Sequence, residues 1–227
     1  MTHLQSFCLG KSLQEVKDVL ENKPYFIKIK EKESLILFFY DQIHSDFSIL
    51  LVQDCRGIIL EKETYKIVCW PFSKFFNYGE KNAVQIDWSS AEVQEKMDGS
   101  IMKLYYYNQK WNVASNSCIE ALSDFKSWFD QCLEMYPQFS YNCNLNPRNT
   151  YIFEMIHPDN RIVVLYNEKR LVHLGTRDNT TGQEYQAGMY PFDHPKIFQL
   201  KSLDLKQPTL SFTYTTIFLT GYFHLPD

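Results

Sequence analysis

Apolar residues along this chain fall mostly in short segments of strand length, and helical spacing takes over in two places. In "KSLQEVKDVLENK" (11–23), Leu13, Val16 and Leu20 share one helical face, and Ser12 and Glu15 are placed as a capping box. "YFIKIK" (25–30) alternates and "LILFFY" (35–40) is a short apolar run, so the charged "EKES" between them predicts a hairpin. "RGIIL" (56–60) and "YKIVCW" (65–70) predict a second hairpin across "EKET". "IMKLYYY" (101–107) and "KWNVAS" (110–115) predict a third, with Asn108-Gln109 at its tip. Ser117 as a cap and Glu120 three residues on then open a helix predicted over 118–136. Its Phe125, Trp128, Phe129, Cys132 and Tyr136 form an aromatic stripe suited to a core. "YNCNLNPRN" (141–149) reads as a loop. "TYIFEMI" (150–156) and "NRIVVLY" (160–166) read as strands around "HPD", followed by "RLVHLGTRD" and the turn "NTTGQ". Strands dominate, with two or three helices between them, which predicts an α+β fold without internal repeats.

Composition narrows the class without naming a function. The 227 residues are 44% hydrophobic and 22% charged, with 15 Tyr and 17 Phe, enough to bury one sizeable core. A net charge of −4 excludes a polybasic nucleic-acid coat, so any RNA contact must come from a local basic patch. Cys8, Cys55, Cys69, Cys118, Cys132 and Cys143 show no C-x-x-C spacing and no nearby His in a zinc pattern. They read as small buried residues of a reducing compartment, and the N-terminus has no signal-peptide anatomy. The expectation is a monomer of the cytoplasm or nucleus, away from membranes.

The candidate chemistry centres on "EKMDGS" (95–100). Taken alone, Asp98-Gly99 is a type I′ turn signal and Lys96 a solvated turn residue, because short K-x-D-G strings arise easily by accident. Three further strings change the picture: "DCRGIIL" (54–60), "PFSKFFNYGE" (71–80) and "FEMIHPDNRIVVLY" (153–166). In this order the four resemble the lysine-adenylating nucleotidyltransferases, and among them the RNA ligases of the phage T4 RNA ligase 1 type. The resemblance spans roughly residues 25–190. DNA ligases and GTP-using capping enzymes share K-x-D-G but not the C-R-G and K-F-F-N strings.

The resemblance implies an ATP-grasp-like ligase domain whose antiparallel sheets enclose a nucleotide pocket. It implies ATP and Mg²⁺ (or Mn²⁺) as cofactors and RNA with 5′-phosphate and 3′-hydroxyl ends as substrate, tRNA among the candidates. Lys96 is then the nucleophile that forms lysyl-AMP. A lysine amine is protonated at neutral pH unless burial or nearby cations favour the neutral form. Gly99 would let the backbone turn tightly beside the nucleotide, and Asp98 would shape that turn. Arg56 and Lys74 would neutralise the triphosphate. Glu154 would bind nucleotide or help place metal, with Arg161 as an ion-pair partner, since an unpaired buried acid is costly. Phe75 and Phe76 read as core, and His157 and Asp159 as loop residues.

The pattern departs from the family in two places. Asn116, in "VASNSCIEA" (113–121), stands where the family carries a lysine. Thr220-Gly221-Tyr222 stands where it carries Glu-Gly-Tyr, and no K-x-K string follows. The expectation is one domain over 1–227 whose end, about 191–227, is incomplete or divergent, with impaired sealing. The alternative is a pseudo-ligase that acts as a nucleotide- or RNA-binding module.

Overall fold

The structure, a computed structural model, describes residues 1–77, 79–86, 92–137, 145–186, 190, 192–198 and 217–220. Three short helices, α1 (His3–Cys8), α2 (Leu13–Leu20) and α3 (Leu50–Asp54), accompany a first sheet in the order β1 (Ile27–Lys32), β2 (Leu35–Tyr40), β3 (Arg56–Glu61), β4 (Ile67–Cys69). The predicted capping box holds α2: Ser12 and Glu15 bond each other's backbone N–H groups. Leu4, Val16, Leu20, Phe38, Ile58 and Leu60 pack into one core between these helices and one face of the sheet. The sequence pattern left out α1 and α3, whose apolar faces are too short to show a period.

A second, five-stranded sheet runs β10 (Glu184–Gln186), β9 (Arg170–Asp178), β8 (Asn149–Ile156), β6 (Ser100–Tyr107), β7 (Lys110–Ser115), with every pairing antiparallel. α4 (Ser123–Leu133) covers one of its faces, burying Phe129 and Cys132 against Met102, Leu104, Tyr151 and Phe153. The other face meets the first sheet, where Leu37, Ile59 and Cys69 pack on Tyr105, Ala114 and Ile119. Polar bonds set the spacing of the two sheets. Trp70 N–H donates to Thr150 Oγ1 (2.8 Å), Asn179 Nδ2 to Val68 O (2.8 Å) and Arg177 Nη1 to Pro71 O (2.7 Å). A third sheet places β5 (Glu92–Glu95) between β11 (Ile197–Phe198) and β12 (Ile217–Thr220). This is the expected α+β arrangement, with two antiparallel sheets packed face to face.

Four local expectations need correction. The helix predicted from residue 118 begins at Ser123, because the segment before it bonds to strands instead. Ser115 N–H donates to Cys118 O, Ala121 N–H to Val113 O and Tyr105 Oη to Ile119 O. Residues 160–166 form no strand: β9 takes the place beside β8, and Ile162, Val163 and Leu165 are exposed. Asp98-Gly99 is not a hairpin tip, since β5 before it and β6 after it lie in different sheets. The loop expected over 141–149 lies partly outside the described residues, and its last residue, Asn149, opens β8. The expected tip at Asn108-Gln109 is present, both residues having positive φ (48° and 60°).

Candidate active site

Strand alternation alone would send Arg56 to the helix-covered face of β3, together with Ile58 and Leu60. It does not go there. β2 pairs Phe38 with Ile58 and Phe39 with Arg56, so Gly57 is an extra residue on β3. It has φ +85°, the left-handed conformation of a glycine bulge. A one-residue slip exchanges the two faces of a strand, and Arg56 shares with Phe39 the face of β3 that meets the second sheet. There its guanidinium lies 4.1 Å from the Phe75 ring centroid and Nη1 reaches Ser73 O at 3.4 Å. Burial pulls the Arg56 pKa down, against the opposing pull of Tyr40 and Glu154.

Lys74 follows from the segment that joins the sheets. Its backbone N–H donates to Gln53 O (2.9 Å), and its ammonium sits 5.0 Å from Phe76 and 5.3 Å from Phe47. Burial lowers its pKa, and Arg56 lowers it further. Two cations held this close attract an anion. Phe75 corrects an expectation: it is 41% exposed and lies under Arg56 rather than in the core. Phe76 is half-buried against Phe47.

The 95–100 and 153–166 strings form one structural unit. Gly99 N–H donates to Glu154 Oε1 at 2.9 Å. Ser100 and Asn160 exchange side-chain hydrogen bonds at 3.2 and 3.0 Å. Asp98 Oδ2 accepts from the backbone N–H groups of Val163 (2.7 Å) and Val164 (2.6 Å). Asp98 therefore shapes the facing loop rather than its own turn. Gly99 is required by close approach rather than by a turn: a Cβ there would lie 2.3 Å from Met155 O.

Glu154 is the buried acid of the site, 8% exposed. Burial raises its pKa to about 7, while Gly99 N–H, Lys96 and Arg56 pull it down and Asp98 pushes it up. Lys96 and Arg56 are thus each within electrostatic reach of Glu154, and Arg56 is within reach of Lys74. Arg161 is exposed and is not among the charges that act on Glu154, so the expected ion pair does not form. His157 is buried and stacked on Trp128 (5.4 Å, 19°), a packing role rather than a free loop position. Asn116 presents its backbone oxygen to Gly57, at 2.5 Å from where a Cβ would stand. Among the described residues no group of three His, Cys, Asp or Glu side chains could hold a metal ion. The Thr220 backbone pairs with Glu92, placing β12 beside the strand that leads into Lys96.

Sequence reasoning missed Lys103, whose buried ammonium bonds Gly57 O at 2.5 Å. The available signal was a lysine inside the apolar run "IMKLYYY".

Residues 54–199 match the RNA ligase family of the T4 type 1 class. A protein of Autographa californica nuclear polyhedrosis virus, described as a bifunctional polynucleotide kinase/RNA ligase, is 31% identical over 212 residues, 83% of this chain and 30% of that protein. An RNA ligase of Rhodothermus phage RM378 is 28% identical over 190 residues, 66% of this chain and 43% of the phage protein. The chain therefore spans less than half the length of these relatives. An archaeal ATP-dependent RNA ligase shares the fold, with a TM-score of 0.52, 12% identity, and coverage of 88% of this chain and 54% of that one.

Proposed function

The chain belongs to the RNA ligase family of the T4 RNA ligase 1 type, and from that premise we propose that it uses ATP to activate and join RNA ends, with Lys96 as the nucleophile. The neutral Nζ of Lys96 attacks the α-phosphorus of ATP, a P–N bond forms, and pyrophosphate leaves with the electrons of the broken P–O bond. An oxygen of an RNA 5′-phosphate then displaces Lys96 and takes the AMP. Finally an RNA 3′-hydroxyl attacks that 5′-phosphate, forming the phosphodiester and releasing AMP.

The observation that supports this reading is that Lys96 and Arg56 both act electrostatically on the buried Glu154, with Arg56 acting on Lys74. Arg56 and Lys74 would hold the triphosphate charge, since positioning and electrostatics supply most of the catalysis in phosphoryl transfer. Glu154, half-protonated near neutral pH, would hydrogen-bond a nucleotide hydroxyl. ATP would arrive as its magnesium complex, with phosphate oxygens and water as ligands. The described residues offer no three-ligand cage, so no step is assigned to a protein-held metal.

Transfer of the nucleotide tests the substrate. Chain labelled from α-labelled ATP should pass AMP to a 5′-phosphorylated RNA and not to the same RNA with a 5′-hydroxyl. Equal transfer to both, or to neither, would refute the RNA-end reading.

A further inference from the structure

The buried cation that the proposed chemistry leaves unused is Lys103. Its side chain leaves β6 on the face turned towards the first sheet, is 0% exposed, and reaches across to β3. There Nζ donates to Gly57 O at 2.5 Å. Gly57 is the bulge residue, paired with nothing in β2 or β4. The fit is tight: a Cβ on Gly57 would stand 2.7 Å from Lys103 Nζ and 2.5 Å from Asn116 O. No carboxylate is among the groups whose charge reaches the ammonium; these are the Cys69 and Cys118 thiols and Arg56. A buried ammonium without a counter-anion is costly, and a neutral donor would satisfy a lone carbonyl at less cost.

We propose that Lys103 is a positioning residue, which pins the Gly57 bulge and so keeps Arg56 on the face of β3 that meets the second sheet. The inference rests on Arg56 contacting the ATP phosphates. The bulge exchanges the two faces of β3 at Arg56, so whatever fixes the bulge fixes the side on which the guanidinium lies. Lys103 reaches the bulge from the opposite sheet and thereby sets the bulge and Arg56 together.

A double-mutant cycle with ATP as the titrated ligand tests this. Lys103→Met should weaken ATP binding about tenfold in the otherwise native chain and less than twofold when Arg56 is already alanine. Once ATP is saturating, the rate of lysyl-AMP formation should fall much less than the affinity. Thermal unfolding identifies folded variants. If Lys103→Met does not fold, Lys103→Leu, which likewise has no donor for Gly57 O, carries the same cycle with the same expectation. Equal losses of affinity in both Arg56 backgrounds would overturn the proposal, because a purely structural role does not pass through Arg56. Unchanged affinity on Lys103→Met, with a clear loss on Arg56→Ala, would also overturn it. No loss on Arg56→Ala would instead remove the phosphate reading of Arg56, and the inference with it.

Discussion

The backbone N–H of Gly99 donates to Oε1 of Glu154 at 2.9 Å, tying the loop that carries Lys96 to the buried acid of β8. Glycine is needed at 99 because any side chain would strike Met155 O, 2.3 Å from the Cβ position. Two strings far apart in sequence thus become one rigid site wall.

Burial lifts the Glu154 pKa from 4.5 to about 7, so the folded chain holds a proton that the unfolded chain releases within that window. Stability from this group is full below pH 4.5 and is lost as pH rises towards 7. Wild type minus Glu154→Gln, compared by urea unfolding, should therefore decline across the window by up to about 3 kcal/mol. A difference that stays flat, or rises, contradicts this placement of Glu154.

Asp98 should act on a neighbouring loop and not on chemistry alone. Its carboxylate accepts the backbone N–H groups of Val163 and Val164 at 2.7 and 2.6 Å. Asp98→Ala should speed hydrogen exchange at those two amides at least tenfold, given about 1.5–3 kcal/mol for a hydrogen bond to a charged group. The amides of α4 should be unaffected. Uniform acceleration throughout the chain would indicate general unfolding instead.

The strands were legible as short apolar runs between turn residues: β2, β6 and β7 fall where their residues predict them, and the alternating segment from 25 appears as β1 two residues later. The capping box of α2 was legible for the same reason, since it depends on neighbours in sequence. What alternation could not convey was competition for partners. Residues 160–166 carry strand-forming residues, yet β9 occupies the edge they would need, and Asp98 takes two of their amides. Residues 118–122 likewise give their bonds to β6 and β7 before α4 begins. In the site, Lys96, Arg56, Lys74 and Glu154 were named from motif resemblance; in the fold Lys96 and Arg56 act on Glu154, and Arg56 acts on Lys74. The Gly57 bulge, which decides the side Arg56 takes, was invisible because register is a property of two strands.

Arg56 and Lys74 lead to a further expectation. Each loses basicity through burial, and Arg56 lowers Lys74 further, so an incoming polyphosphate would offset the burial of both cations and relieve the like-charge repulsion at Lys74. Alanine at either position should weaken ATP binding by roughly tenfold or more, as loss of a charged hydrogen bond does. The double variant should depart from additivity if one phosphate group bridges both. Unchanged affinity in both single variants would leave them as aromatic-stacked surface cations.

The central claim is a covalent bond between Lys96 and AMP. The most direct measurement incubates the chain with α-labelled ATP and Mg²⁺, denatures it, and locates the label by mass spectrometry of its peptides. The account predicts one AMP adduct on the peptide containing Lys96, acid-labile as a phosphoramidate should be, and none on Lys96→Ala. An adduct of equal yield on Lys96→Ala, or one located at Lys74 or Lys103, would contradict it.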